Sequence, residues 1–140
     1  MYEILIVGGG PAGLTAAIYA ARAGKHVAVL ERGSTGGQII SAPLVENYPG
    51  IPSVSGTELA RQMTEQACTF GAEIVYTEAV GLEKTPAGFR VLCTDGVREA
   101  KTVILATGAA HRSLGLAAED ALTGCGVSYC AVCDGAFYEG

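Results

Sequence analysis

The chain has 140 residues, enough for one domain but too few for two of ordinary size. Apolar residues make up 49% and charged residues 16%, a balance that excludes a disordered chain and predicts a packed core. With 9 Lys and Arg against 14 Asp and Glu, the net charge is −5. The chain therefore lacks the positive electrostatic potential that attracts nucleic acids, and we expect no nucleic-acid partner.

An uncharged stretch at residues 4–21 is long enough to cross a membrane, but the sequence Gly-Gly-Gly-Pro at residues 8–11 would break a spanning helix. Glu3 is the only charge ahead of this stretch, so the positive leading region of a secretory signal is missing. We therefore expect no membrane segment and a cytoplasmic location.

The first predicted elements are a strand, a helix and a second strand. Residues 2–7 are rich in Ile and Val and predict a strand buried on both faces. A helix is expected to begin at Pro11 and to end at Gly24, which suits a left-handed stop. Its predicted apolar face comprises Leu14, Ala17, Ile18 and Ala21. Residues 26–30 predict another buried strand, which completes a right-handed βαβ unit.

From residue 32 to residue 52 the periodicity is lost among glycines and prolines. Such a long irregular segment within a compact domain is typical of a functional loop or a disordered one. A second helix is expected after Ser55, which can cap it together with Glu58, and Gly71 ends it. The predicted apolar face of this helix comprises Leu59, Met63, Ala67 and Phe70.

A run of short strands follows the second helix, with turns at residues 86–88 and at Asp95-Gly96. These strands are predicted at residues 73–76, 80–85, 89–94 and 97–101. Residues 102–106 form a separate apolar strand, which suits a return to the central sheet. The elements together predict an α/β fold with a parallel central sheet and a small antiparallel β-meander.

The glycine turn at residues 8–13 satisfies the G-x-G-x-x-G pattern between a predicted strand and a predicted helix. Its first glycine permits the tight turn, Gly10 lets the backbone approach a pyrophosphate, and Gly13 allows close packing of helix on strand. The amino end of the helix then faces the phosphates with its N–H groups and positive dipole. The simpler alternative is a tight strand-to-helix turn without a ligand.

Glu31 follows Gly13 by eighteen residues and ends the second predicted strand. An acid at this place accepts hydrogen bonds from both ribose hydroxyls of a dinucleotide and repels a 2′-phosphate. The glycine turn together with Glu31 therefore predicts dinucleotide binding. The pattern leaves open which dinucleotide binds, because FAD and NAD use the same turn.

Five cysteines without a secretory signal make a disulfide scaffold a poor explanation. Cys130 and Cys133 form a Cys-x-x-Cys pair followed by Asp134, which predicts a reducible disulfide with an adjacent proton-transfer group. Cys68 and Cys93 are interpreted as small buried apolar residues. We assign no catalytic role to either histidine.

Two metal sites are alternatives to a redox disulfide. A zinc site could draw on the Cys pair, Cys125 and His111, but a second Cys pair is missing. The C-x4-C-x2-C spacing that begins at Cys125 is that of plant-type iron–sulfur proteins, but the seven residues after Cys133 contain no fourth cysteine.

Over essentially its whole length the chain resembles the low-molecular-weight, bacterial-type thioredoxin reductases. The segments that carry the resemblance are GGGPAG at residues 8–13, ERG at 31–33, GGQ at 36–38, VENYPG at 45–50, ATGA at 106–109 and GVSYCAVCDG at 126–135. The last segment is the most specific, because flavoproteins of many activities share the glycine turn and the ATG segment. The fold implied is a Rossmann-like FAD-binding domain.

The resemblance implies FAD as the cofactor and NADPH as the electron donor. The residues implied to bind FAD are Gly8, Gly10, Pro11, Ala12, Gly13, Glu31, Arg32, Gly36, Gly37, Gln38, Asn47, Thr107 and Gly108. The irregular segment would lie beside the isoalloxazine ring through Gly36, Gly37, Gln38 and Asn47. Electrons would pass from the flavin to the disulfide and on to thioredoxin. Cys133 would face the flavin, Cys130 would attack thioredoxin, and Asp134 would donate the proton.

Members of that family are about twice as long as this chain, in keeping with two domains. We therefore expect an amino-terminal fragment, with residues 1–110 as part of the FAD-binding domain and 111–140 as the truncated start of the pyridine-nucleotide and redox-disulfide domain. Such a fragment lacks the NADPH site and is expected to be inactive alone, whereas the complete protein is expected to be a homodimer. The alternatives are a ferredoxin-dependent or oxygen-dependent flavin dithiol oxidoreductase, and a non-catalytic metal-binding module that uses Cys125, Cys130 and Cys133.

Overall fold

A computed structural model describes residues 1–131 and 135. The chain divides into two compact units, Met1–Gly108 and Ala109–Gly140. This division lies close to the expected boundary after residue 110, but the assignment of the second unit to a pyridine-nucleotide domain stays a prediction. Within the described residues, no helix is both long and apolar enough to span a bilayer.

The first unit contains two long helices and a mixed sheet. The helices are α1 (Pro11–Arg22) and α2 (Gly56–Thr69), and a 3-10 helix lies between them at Gly37–Ser41. The strands are β1 (Tyr2–Val7), β2 (Val27–Glu31), β3 (Glu73–Tyr76), β4 (Ala79–Thr85), β5 (Gly88–Cys93) and β6 (Gly96–Leu105). Most of the predicted elements are confirmed within one or two residues of their expected bounds.

The described residues form one six-stranded sheet in the order β3-β2-β1-β6-β5-β4. The four strands β3, β2, β1 and β6 are parallel, and β5 and β4 continue the sheet in antiparallel pairing. In the register of the central strands, Ile6 lies beside both Val29 and Ile104. This arrangement confirms the predicted α/β class.

The prediction of two separate strands at residues 97–101 and 102–106 was wrong, because β6 is continuous. Its first half pairs antiparallel with β5, with Val97 opposite Leu92, and its second half pairs parallel with β1, with Val103 beside Leu5. Lys101 and Thr102 are adjacent, and neither is a glycine, a proline or part of a turn-forming pair. Nothing in the sequence therefore ends the strand between them. The β-meander is therefore an extension of the central sheet.

The two faces of the sheet bury different sets of side chains, as the alternation of a strand requires. Leu5 and Ile6 are neighbours on β1, both are fully buried, and they belong to different core clusters. The Ile6 cluster includes the apolar faces of α1 and α2, whereas the Leu5 cluster includes Val91 of β5. Burial of β1 on both faces is thus confirmed, and the parallel strands hold their carboxyl ends in fixed register.

Both helices begin and end where their capping residues predict. Pro11 is the first residue of α1, and Gly24, just after the helix, has a left-handed φ of 71°. The Ser55 hydroxyl caps α2 by accepting a hydrogen bond from the Glu58 amide (3.2 Å). The Glu58 carboxylate instead pairs with Arg61, so only one half of a capping box forms.

Two predictions of burial near the end of α2 were wrong. Cys68 is exposed, and Phe70, which caps the carboxyl end of the helix, exposes 43% of its surface. The buried stripe of α2 runs through Met63 and Ala67, and the next residue lies about 100° further round the helix, toward solvent. Burial of Cys93 on β5 is confirmed.

The second unit contains the short helix α3 (Glu119–Leu122). Glu119 is 4% exposed, and its carboxylate accepts hydrogen bonds from the amides of Leu114 (2.8 Å), Gly115 (2.7 Å) and Leu116 (3.2 Å). A hydrogen bond from the Ser113 hydroxyl (2.8 Å) completes the set. A single buried carboxylate thus organises the loop that precedes α3.

Candidate functional site

The glycine turn joins the carboxyl end of β1 to the amino end of α1, at the sheet edge where parallel α/β folds bind ligands. Gly8 has a φ of 108°, and a Cβ there would lie 2.2 Å from the Ala106 carbonyl oxygen. A Cβ at Gly13 would lie 1.9 Å from the Gly8 carbonyl oxygen. Both glycines are therefore required by backbone contacts, which hold the turn against β6 and against the first turn of α1.

Gly10 occupies the N-cap position of α1 and differs from these two glycines. Outside its own turn of helix, the heavy atom nearest to a Cβ added there would be the Gly37 Cα at 3.9 Å, so the space in front of Gly10 is open. The first turn of α1 contains Pro11 and Ala12 and carries no acidic side chain. A helix amino end with this open approach is suited to a phosphate group.

Glu31 is the last residue of β2, and its carboxylate reaches the glycine turn. Its Oε2 accepts a hydrogen bond from the Gly9 amide (2.8 Å), and its Oε1 accepts one from the Gly33 amide (2.9 Å). The structure therefore places the predicted ribose-binding acid beside the predicted pyrophosphate-binding turn. Each carboxylate oxygen retains further acceptor capacity for a hydroxyl group.

The irregular segment after β2 folds back onto the same turn. The Gly36 amide donates to the Gly9 carbonyl (2.7 Å), and a Cβ at Gly37 would lie 3.3 Å from the Gly10 Cα. Gly36 and Gly37 both have left-handed φ angles, of 111° and 55°, which glycine adopts at no steric cost. The segment is thus ordered by contacts with the turn and is not a disordered loop.

The other predicted residues of this segment lie on its surface. Gln38 is exposed in the first turn of the 3-10 helix, and Asn47 is exposed between the bridged residues Val45 and Val54. Arg32 directs its guanidinium to the Glu78 carboxylate (3.8 Å). The structure therefore brings Gly36 and Gly37 to the glycine turn, whereas Arg32 is engaged in an exposed ion pair.

The segment that follows β6 borders the turn from the other side. The Ala106 amide donates to the Val7 carbonyl (2.8 Å), which sets the Ala106 carbonyl against Gly8. Thr107 and Gly108 come next and are exposed. Residues from four separate parts of the first unit thus meet at the carboxyl end of β1.

Sequence reasoning missed two glycines that shape this site. Gly9 is buried and offers its amide to Glu31 and its carbonyl to Gly36, although the motif treats its position as unrestricted. Gly56 begins α2, and a Cβ there would lie 1.7 Å from the Ile39 carbonyl oxygen of the 3-10 helix. Three consecutive glycines were a signal for the first position, whereas the pattern of α2 contained none for the second.

The described part of the redox motif belongs to the second unit. Cys130 is half-buried and disulfide-bonded, and its amide donates to the Ser128 hydroxyl (3.1 Å). Cys133 and Asp134, the other two predicted catalytic residues, lie outside the described residues. The redox roles of these three residues stay predictions.

The metal-site alternatives receive no support from these residues. Among residues 1–131 and 135, no three His, Cys, Asp or Glu side chains are placed to share a metal ion. Cys125 has a free thiol, whereas Cys130 is in a disulfide and cannot act as a thiolate ligand in that form. The His111 ring stacks on the Tyr129 ring, with centroids 3.7 Å apart.

Comparisons with known proteins agree with this arrangement. The family model described as pyridine nucleotide-disulphide oxidoreductase matches residues 2–140. A thioredoxin reductase of Listeria monocytogenes is 45% identical over 139 residues, which are 99% of this chain and 44% of the relative. A thioredoxin reductase of Bacillus subtilis is 44% identical over 140 residues, again 44% of its length.

Solved structures lead to the same group of proteins. The thioredoxin reductase of Streptococcus pyogenes superposes with a TM-score of 0.86 at 50% identity, and that of Lactococcus lactis with 0.83 at 42%. Each comparison covers 98% of this chain and 45% of the solved chain. The chain thus spans less than half the length of the relatives that it matches. On its sequence and its fold, the chain belongs to the pyridine nucleotide-disulphide oxidoreductase family.

Proposed function

We propose that this chain is the FAD-binding part of a flavin-dependent disulfide reductase that takes electrons from NADPH and reduces thioredoxin. The observation that carries the proposal is the meeting of the glycine turn, the Glu31 carboxylate and the Gly36-Gly37 bend at one edge of the sheet. The names of the relatives supply the substrate, thioredoxin. We extend the proposal to a homodimer as the working form of the complete protein.

The residues present fit the adenosine and pyrophosphate portion of FAD. The open space in front of Gly10 and the amino end of α1 suit the two phosphates, which carry negative charge. The Glu31 carboxylate, fixed by two amides, suits the ribose diol. Because Glu31 is held beside the turn, a ligand that spans both contacts can bind without rearrangement of the backbone.

The remaining roles extend from this first part of the site. We assign Gly36, Gly37, Gln38 and Asn47 to the isoalloxazine end, and we assign Thr107 and Gly108 to the opposite wall. Gly37 is exposed and presents main-chain atoms alone, so a flat ring can approach its backbone closely. When bound, FAD supplies two-electron chemistry that links a nicotinamide donor to a disulfide.

The Cys130 disulfide is the proposed exit for the electrons. Two electrons and a proton convert the Cys130–Cys133 disulfide into a thiolate and a thiol, with Asp134 as the proton-transfer group. The Cys130 thiolate then attacks the thioredoxin disulfide, which forms a mixed disulfide and releases one thioredoxin thiolate. Attack by Cys133 on Cys130 restores the disulfide and frees reduced thioredoxin.

The flavin half of the proposal is tested by titrating the chain with FAD and recording the visible spectrum and the flavin fluorescence. We expect saturable binding, with perturbed flavin bands. Absence of binding by a chain whose circular dichroism shows the α/β fold would contradict the assignment of the glycine turn.

The disulfide half is tested in a single turnover without NADPH. The FAD-loaded chain is reduced anaerobically with dithionite, excess reductant is removed, and oxidised thioredoxin is added. We expect reoxidation of the flavin and two new thiols per thioredoxin, and neither in Cys130→Ser. Cys125→Ser, which removes an exposed free thiol, is the matched control and should behave as the unaltered chain does.

A further inference from the structure

The amino end of α2 packs directly on the 3-10 helix of the irregular segment. The Gly56 amide donates to the Ala42 carbonyl (3.0 Å), and the Thr57 hydroxyl donates to the Ile40 carbonyl (3.3 Å). Gly56 itself is buried. These bonds join the first turn of the 14-residue helix α2 to the 3-10 helix, which has five residues and none of them buried.

The contact at Gly56 leaves no room for a side chain. A Cβ there would lie 1.7 Å from the Ile39 carbonyl oxygen, 2.8 Å from its carbon and 2.9 Å from the Ala42 carbonyl oxygen. All three are backbone atoms, so no side-chain rotation can relieve the clash. The φ of Gly56 lies outside the left-handed region, so close approach and not backbone conformation is what requires glycine.

The same helix also sets the bend that precedes the 3-10 helix. A Cβ at Gly36 would lie 2.5 Å from the Ala60 Cβ, one turn further along α2. Gly36 in turn donates its amide to the Gly9 carbonyl (2.7 Å), which belongs to the glycine turn. A continuous path of close contacts therefore leads from Gly56 through the 3-10 helix and Gly36 to the glycine turn.

We propose that Gly56 is a positioning residue for the dinucleotide site. Because position 56 has no side chain, α2 can press the 3-10 helix and the Gly36-Gly37 bend against the glycine turn. The identity of the ligand rests on the function proposed above, whereas the positioning itself can be measured without any ligand.

The test is Gly56→Ala in the otherwise unaltered chain, read first by amide hydrogen exchange. Displacement of the Ile39 carbonyl should raise exchange across residues 36–42 by about tenfold or more, with the Gly36 amide most affected, while β1 and β2 stay protected. In a helix, alanine is more favourable than glycine, so the added methyl group by itself does not weaken α2. If the substitution acted only on α2, amide exchange at residues 36–42 would stay unchanged. That result would overturn the proposal.

The second measurement is the affinity for FAD. We expect Gly56→Ala to weaken FAD binding by about tenfold, because the bend no longer holds its place against the turn. Gly81→Ala is the matched control: its methyl group meets only the side chain of Leu92, at 3.0 Å, which can move aside. Equal FAD affinity in the Gly56 and Gly81 variants would count against a role in the site.

A milder variant covers the case in which Gly56→Ala does not fold. Thr57→Val keeps the shape of the side chain and removes the hydrogen bond to the Ile40 carbonyl. Amide exchange across residues 36–42 should therefore rise, but by less than in Gly56→Ala. Unchanged exchange in this variant would also overturn the proposal. If the unaltered chain fails to bind FAD, the proposed function fails, and the exchange data still decide the role of Gly56.

Discussion

The two units of the chain are held in place by different kinds of contact. In the first unit, the candidate site is made from main-chain atoms that glycines allow to approach closely, as at Gly8, Gly13 and Gly37. In the second unit, one side chain, that of Glu119, gathers the amides of a loop. A site of the first kind is sensitive to a carbon atom added at one of these glycines, whereas a loop of the second kind depends on the charge of one carboxylate.

The largest effect is expected where an added methyl group meets a carbonyl. Gly13→Ala places a Cβ 1.9 Å from the Gly8 carbonyl oxygen and should cost on the order of 3 kcal/mol in the free energy of unfolding. FAD binding should be lost with it. Gly33→Ala is the control, because its Cβ meets only a Glu31 carboxylate oxygen at 3.9 Å, and urea unfolding should show a change below about 0.5 kcal/mol. Equal stability of the two variants would contradict the role given to close backbone contact.

A smaller effect is expected where a side chain completes the main-chain site. Glu31→Gln keeps the shape of the side chain but leaves one of two donors, the Gly9 amide or the Gly33 amide, facing an NH2 group. FAD affinity should fall by about tenfold, or about 1.4 kcal/mol. Glu99→Gln, on the exposed face of β6, serves as the control in the same titration and should bind FAD normally. A Glu31 variant with unchanged affinity would remove this residue from the ribose contact.

The second unit should respond to pH through Glu119. Burial of this carboxyl raises its pKa, but hydrogen bonds from the Leu114 amide, the Ser113 hydroxyl and the amides of Leu116 and Gly115 outweigh it, so the pKa is lowered overall. A lowered pKa stabilises the folded loop above the unfolded-state pKa, and this stabilisation disappears as the pH falls through the folded-state value.

Exchange of the amides at residues 114–116 should therefore accelerate below about pH 4.5, once the intrinsic pH dependence of exchange is subtracted. Glu119→Gln should show fast exchange at neutral pH and no such transition. Asp120→Asn changes the neighbouring, exposed acid of α3 and should keep the transition. A transition that persists in the Glu119 variant would assign the effect to another group.

The smallest effect should come from Cys68, which is compared with Cys93, another free cysteine of the first unit. Cys93 is 8% exposed on β5, so Cys93→Ser buries a hydroxyl group and should cost about 1 to 2 kcal/mol in the free energy of unfolding. Cys68 is exposed on α2, and Cys68→Ser should change stability by less than about 0.5 kcal/mol. Urea unfolding of both variants checks that Cys68 is exposed. A larger loss of unfolding free energy in the Cys68 variant than in the Cys93 variant would contradict that exposure.

Local patterns were sufficient to predict most elements of the first unit. The helix that begins at Pro11 and the cap at Ser55 depend on neighbours within a few residues, and so does the Asp95-Gly96 turn between β5 and β6. The continuity of β6 could not be read in this way, because a strand that changes partners from β5 to β1 shows no break in its own pattern. Choice of partner depends on the whole sheet.

The candidate site was predictable only where its residues follow a pattern that is visible in the sequence. The glycine turn and Glu31 follow a spacing that is visible in the sequence, and the structure brings them within hydrogen-bond distance. The hydrogen bond between Gly36 and Gly9 and the clash that excludes a side chain at Gly56 join residues far apart in the chain. Such contacts exist only once the sheet and α2 have packed, so no local signal could reveal them.

The unbroken course of β6 limits where this chain can gain or lose residues. One strand extends from the β5 hairpin to Leu105, the residue before the Ala106 carbonyl beside Gly8, and its side chains alternate between the two sides of the sheet. Deletion of a single residue within it would turn every later side chain to the opposite side and shift the carbonyl that touches Gly8. Length variation among related chains should therefore fall in the turns that flank this strand and not within it.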